Sequence, residues 1–133
     1  EYGFSVSKLA DRDSSTDVVI VDRFGTLEEL YQASEKIFIG GSLDNTGGHN
    51  TFEALQFEKD VCVGPNMRNF MELNSLSEKF GITTTINNEK ELSQYIDQEE
   101  RELDFSSFFE ELDSDKNQKL TSLKEVLQSV SAD

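Results

Sequence analysis

The chain has 133 residues, enough for one modest domain with a hydrophobic core, and its 27 acidic against 12 basic side chains give a formal charge of −15. A field of that sign repels phosphate backbones and anionic lipid, which argues against nucleic acid as a major partner and against direct attraction to a membrane surface. No run approaches the roughly 20 apolar residues that span a bilayer, and no basic region leads into an apolar one as in a signal peptide.

The opening Glu1-Tyr2-Gly3, without a methionine, is what a trimmed piece of a longer protein would have, and the piece is expected to be soluble. Residues 1–16 are polar and acidic without a firm period. Val18-Val19-Ile20-Val21 is a short, wholly apolar, β-branched run, the pattern of a strand buried on both faces. After a loop from Asp22 to Gly25, Thr26 can cap a helix whose apolar residues Leu27, Leu30 and Tyr31 recur at helical spacing. Ile37-Phe38-Ile39 predicts a second strand ending in Gly40-Gly41, and Thr51 to Phe57 a short helix. Val61-Cys62-Val63 predicts a third strand ending in Gly64-Pro65. Cys62 is the single cysteine, so it forms no intrachain disulfide and reads as a buried small hydrophobe.

Residues 67–80 predict a longer helix with Phe70, Leu73, Leu76 and Phe80 on one face and Gly81 as its stop. Ile82 to Ile86 is a fourth strand, and Asn88 opens a helix carrying Leu92, Tyr95 and Ile96. Strands alternating with helices predict an α/β, Rossmann-like parallel sheet with helices on both faces, all four strands lying in one sheet. Residues 1–97 are therefore read as one Rossmann-like unit and residues 98–133 as an acidic helical segment. The stretch 87–133 that contains it carries −8, more than the −7 of the much longer stretch 1–86. Two amphipathic helices are expected in it, one with Leu103, Phe108, Phe109 and Leu112, the other with Leu120, Leu123, Leu127 and Val130.

The stretch most informative about function is Gly40-Gly41-Ser42-Leu43-Asp44-Asn45-Thr46-Gly47-Gly48-His49-Asn50-Thr51-Phe52-Glu53. It joins a strand end to a helix start, and ligands of parallel sheets sit outside the carboxyl ends of strands. Glycines permit close backbone approach, free N–H groups at a helix start attract phosphate, and His49 adds a donor. Glu53 can accept hydrogen bonds from paired sugar hydroxyls. Spacing alone leaves a second reading open, in which Asn50 and Glu53 only cap the helix, Gly47-Gly48 only makes a turn and His49 is a surface histidine.

Beyond spacing, a set of motifs occurs in order: Val21-Asp22, Gly25, Leu27 and Leu30-Tyr31; Phe38-Ile39-Gly40-Gly41-Ser42-Leu43; Gly47-Gly48-His49-Asn50 with Glu53-Ala54; and Gly64-Pro65 with Asn69-Phe70. Together they resemble the C-terminal domain of the 3-deoxy-D-manno-octulosonic acid (Kdo) transferases, which are two-domain GT-B glycosyltransferases. The likeness covers about residues 17–97. It implies a donor, CMP-Kdo, and an acceptor, a lipid A precursor, at the cytoplasmic face of the bacterial inner membrane. It further implies that Ser42, Gly47, Gly48, His49, Asn50 and Glu53 meet the CMP portion and that Gly25 shapes the cleft, with no metal and no cofactor. The family places the base that activates the acceptor in an N-terminal domain absent from this chain. By resemblance, then, there is no catalytic residue here, the chain is inactive alone, and acceptor and membrane are met only through the absent part. The chain departs from the family at Thr51 and Ala54, where prolines are usual, and at Phe24-Gly25-Thr26-Leu27, where a Met-Gly-Glu-Leu-like segment is usual.

A reading from another class is a non-catalytic interaction module that keeps the fold and has lost donor binding. A third is a calcium module at the tail, suggested by Asp113-Ser114-Asp115-Lys116-Asn117. That pattern has Gln118 where an EF-hand loop needs glycine and Lys124 where it needs a bidentate glutamate, so a solvated loop between two helices is expected instead.

Overall fold

The computed structural model describes residues 3–131, and Glu1-Tyr2 of the opening segment lies outside them. The chain forms two compact units, Glu1–Leu30 and Tyr31–Asp133.

In the first unit, strand β1 (Val6–Lys8) pairs in parallel with β2 (Val18–Ile20), with Val6 opposite Val18 and Lys8 opposite Ile20. A 3-10 turn at Leu9–Asp11 lies between them. The Asp17 carboxylate accepts from the Ser5 amide at 2.8 Å and the Ser5 hydroxyl at 2.9 Å, which fixes the start of the pairing. The expectation that the run at 18–21 joins the other strands in one sheet is thus overturned. Its partner is a three-residue strand whose Val6 lies among polar residues and gives no periodic signal. Nor is β2 buried on both faces: Val18 is 44% and Ile20 52% exposed.

Helix α1 (Leu27–Ala33) leads into the second unit. There β3 (Lys36–Ile39), β4 (Asp60–Val63) and β5 (Thr83–Thr85) form a parallel sheet in that order. Successive strand residues point to opposite faces. Ile37, Ile39, Val61 and Val63 therefore pack on one side with Ile82, Phe105 and Phe108, while Cys62 joins Ile86 and Tyr95 on the other. The sheet is covered on both faces, which is why its central strand is buried end to end.

Helices α2 (Phe52–Leu55), α3 (Met71–Lys79), α4 (Glu89–Asp97) and α5 (Phe105–Ser131) complete the unit, with a 3-10 turn at Arg68–Phe70. Gly81 ends α3 as expected: at φ +69° it donates to Glu78 O at 2.8 Å while Ile82 donates to Ser77 O at 2.9 Å, a closed C-terminal turn. Asn88 caps α4 by accepting from the Glu91 amide at 3.0 Å.

The tail differs from the reading of two helices joined by a loop. Helix α5 is continuous, so Asp113 to Asn117 are helical and not an interhelical loop. The run from 105 to 131 contains no glycine or proline, and Asp, Ser and Asn cost a helix only a few tenths of a kcal/mol each. Lys119 also braces the segment, reaching Asp115 at 3.0 Å and Glu72 of α3 at 2.7 Å. The first turns anchor the helix, where Phe108 is fully buried against Phe80 and Phe109 with ring centroids 6.2 and 5.1 Å away. Burying such a ring contributes roughly 2–3 kcal/mol. Beyond Leu112 every described residue is exposed, including Leu120, Leu123, Leu127 and Val130.

Candidate functional site

The glycine-rich loop leaves the carboxyl end of β3 and runs to α2, as its sequence implies. It is stitched to the segment after β4. Ser42 is fully buried; its hydroxyl donates to Ile39 O and accepts from the Gly64 amide at 2.7 Å. Asn66 N donates to Ser42 O at 2.9 Å, and Gly48 N donates to Asn66 O at 2.8 Å. Two glycines make this close approach possible. A Cβ on Gly64 would lie 2.2 Å from Ser42 O, and one on Gly48 would lie 2.0 Å from Met67 Sδ. The lack of a side chain at Gly48 is therefore used by the protein itself.

Gly47 has φ +83°, a backbone conformation that favours glycine. His49 is exposed, and its side chain makes no hydrogen bond among the described residues. Asn50 Oδ1 accepts from Phe52 N at 3.0 Å, which satisfies one of the amides at the start of α2, a helix of a single turn. Glu53 is exposed on α2. Its carboxylate lies close enough to Tyr31 to add to the effect of burial, and the two together hold the Tyr31 hydroxyl above its ordinary pKa, burial being the larger cause. Asp44 accepts from Thr46 N at 2.8 Å, and its carboxyl is held below the ordinary range by the hydroxyl and amide of Thr46. Gly25 lies in the first unit at φ +83°.

The structure thus brings Ser42, Gly47, Gly48, His49, Asn50 and Glu53 into one loop and helix start. Within that group His49 and Glu53 face solvent, whereas Ser42 and the Gly48 amide are bonded inside the protein. Thr51, at the position where the family carries proline, is fully buried, and its hydroxyl has no hydrogen-bond partner among the described residues. One residue missed in the sequence is Arg68, whose guanidinium Nη2 donates to Asn45 O at 3.1 Å across the loop. Its signal was a single basic residue three positions after Gly64-Pro65, too local to point to the loop.

Other features lie apart. A groove of about 870 Å³ between α2, α3 and α5 has Phe52, Leu73, Leu76 and Leu112 in its lining, and none of the expected site residues lines it. At the amino end of β4, Asp60 accepts from Arg101 Nη2 at 2.6 Å, Arg101 Nε at 3.2 Å and the Tyr95 hydroxyl at 2.9 Å. Among the described residues there is no cluster of three or more metal-ligating side chains, and no helix is long and apolar enough to cross a membrane.

No protein-family model matches the chain. Individual proteins do. Over 92 residues, 69% of this chain, it is 36% identical to the 3-deoxy-D-manno-octulosonic acid transferase of Aquifex aeolicus.

This chain is homologous to the Kdo transferases.

A second Kdo transferase, from Chlamydia pneumoniae, is 43% identical over 61 residues, or 45% of the chain. A bifunctional glycosyltransferase/methyltransferase of Fusobacterium nucleatum is 31% identical over 120 residues, or 84% of the chain. The matches take up only 26%, 14% and 19% of those three proteins, in that order. In fold, the chain is similar to the crystal structure of the C-terminal CMP-Kdo binding domain of WaaA from Acinetobacter baumannii, with TM-score 0.64 and 21% identity. That likeness covers 86% of this chain and 56% of the other. It agrees with the α/β class and the parallel strands of the Kdo-transferase homologue described above.

Proposed function

We propose that this chain is the donor-binding part of a Kdo transferase, holding the CMP portion of CMP-Kdo at the loop between β3 and α2. The observation that carries the reading is the exposed His49 and Glu53 at the carboxyl end of a parallel sheet, in a homologue of enzymes named for Kdo transfer. In this reading His49 donates to the phosphate, Glu53 accepts from the ribose hydroxyls, and Gly47 and Asn50 shape the backbone between them. Ser42 and Gly48 act one step back, holding the loop against the segment after β4. Residues 1–97 would carry donor binding, and residues 98–133 would add a helical segment whose first turns complete the core.

The whole protein would transfer Kdo to a lipid A precursor at the cytoplasmic face of the inner membrane by metal-independent displacement of CMP. The contribution of this part would be preorganised donors that stabilise phosphate charge on the leaving group. The acceptor base would reside outside these 133 residues. Incubating the chain with CMP-Kdo and lipid A precursor should therefore give no transfer, and turnover would overturn the division of labour. Calorimetric titration with CMP should register binding.

One observation favours the rival, a module that keeps the fold without the ligand: the amides of Gly48 and Phe52 are already bonded within the protein. Absence of CMP binding by the folded chain would decide for it.

A further inference from the structure

We infer that Arg68 is a phosphate-reading residue of this site, a role that rests on the donor-binding proposal and adds to it the group that distinguishes a charged nucleotide from a nucleoside. Three observations lead there. First, the donors that a glycine-rich loop would ordinarily offer an anion are partly occupied: Gly48 N donates to Asn66 O and Phe52 N to Asn50 Oδ1. A phosphate in a chain of charge −15 then needs a cationic side chain nearby.

Second, the packing delivers one. The bonds from Asn66 to Ser42 and from Gly48 to Asn66, with Met67 seated where a Gly48 side chain would be, fix residues 66–67 against the loop. Arg68 follows directly, and its Nη2 reaches Asn45 O at 3.1 Å. That bond uses one of the five N–H donors of a guanidinium, and the planar fork left over suits a phosphate.

Third, Arg68 is exposed and forms no ion pair with a carboxylate among the described residues, whereas Lys8, Lys79, Arg101 and Lys119 all do. Its charge is not neutralised by the protein. A guanidinium also presents its donors in a planar fork that matches a phosphate, which a single imidazole cannot do.

The test compares CMP with cytidine, which differ by the phosphate, on the folded 133-residue chain and its Arg68→Gln and Arg68→Lys variants. The parent should bind CMP more tightly than cytidine. Arg68→Gln should weaken CMP by about ten- to a hundred-fold, leave cytidine within about two-fold, and flatten the salt dependence of CMP binding. Arg68→Lys should retain part of the preference for CMP. Equal losses for both ligands in Arg68→Gln would make Arg68 only a clamp on Asn45 and overturn the inference while leaving the donor site standing. A parent that binds neither ligand would overturn the donor-binding proposal itself, and Arg68 with it.

Discussion

The hydroxyl of Ser42 accepts the backbone N–H of Gly64 at 2.7 Å in a fully buried position, joining the loops that follow two neighbouring strands. The family resemblance places Ser42 at the ligand, and this bond makes it a staple beneath the loop as well. Removing its partner groups should therefore be felt first in stability. Ser42→Ala leaves a buried amide unsatisfied and should cost about 1–3 kcal/mol. Gly64→Ala should cost at least as much, because its Cβ would meet backbone at 2.2 Å. Gly48→Ala should be milder, since the atom nearest its Cβ is the sulfur of a flexible methionine. Urea denaturation of the three variants gives the ranking, and a Gly48→Ala more damaging than Gly64→Ala would contradict it.

Thr51 offers a gain. Its hydroxyl is buried with no hydrogen-bond partner among the described residues, so Thr51→Val removes an unsatisfied polar group and keeps the shape. The variant should be neutral or up to about 1 kcal/mol more stable. A clear loss in thermal midpoint would mean that the hydroxyl is satisfied in solution.

At the other end of the sheet, Asp60 joins Arg101 and Tyr95 across sequence separations of 41 and 35 residues. Asp60→Ala strands a partly buried guanidinium and should cost about 2–3 kcal/mol, less than a fully buried pair because the Arg101 side chain is 32% exposed. Tyr95→Phe removes one hydrogen bond and should cost about 1 kcal/mol. Equilibrium unfolding of both variants checks the order.

The same corner predicts alkaline sensitivity. Burial pushes the Cys62 thiol from its ordinary 9.0 up to about 11, with the Asp60 charge adding to it. Burial and Asp60 likewise raise the Tyr95 hydroxyl. Both groups keep their protons in the native state at pH values where the unfolded chain loses them. Their contribution is present in full below about pH 9 and falls as pH rises toward 11. The thermal midpoint should drop over that window, and Cys62→Ser should flatten the drop. An unchanged pH slope in Cys62→Ser would remove the thiol as a cause.

Helix α5 should prove separable along its length. A chain ending at residue 116 keeps Phe105, Phe108 and Leu112 and loses only exposed turns and the Lys119 pairs. Exposed pairs contribute up to about 1 kcal/mol, so the urea midpoint should move little while helical circular dichroism falls. Collapse of the truncated chain would reveal a structural role for the distal turns.

For the site itself, His49→Ala should weaken CMP binding by about ten- to a hundred-fold and Glu53→Ala should weaken it through the ribose, with circular dichroism confirming intact folds. If His49→Ala binds CMP as well as the parent does, the loop is a capping and packing element only.

Short-range pattern was enough for much of this protein. Alternating apolar runs and glycine stops located β3, β4 and β5, the Gly81 end of α3 and the Asn88 cap of α4, because those features depend on neighbours a few residues away. Motif order located the loop and the homology to Kdo transferases. Tertiary structure decided what lies across long separations. It paired β2 with β1, whose three residues carry no periodicity. It fixed where α5 docks, burying Phe105 and Phe108 against the sheet, with Lys119 reaching Glu72 on another helix 47 residues away. It also settled which groups of the loop face inward. Ser42 stands in the sequence beside a glycine pair with nothing local to mark its partner, and the bond it accepts comes from Gly64, 22 residues later. A hydrogen bond at that range follows from packing two strands side by side, and no local spacing encodes it.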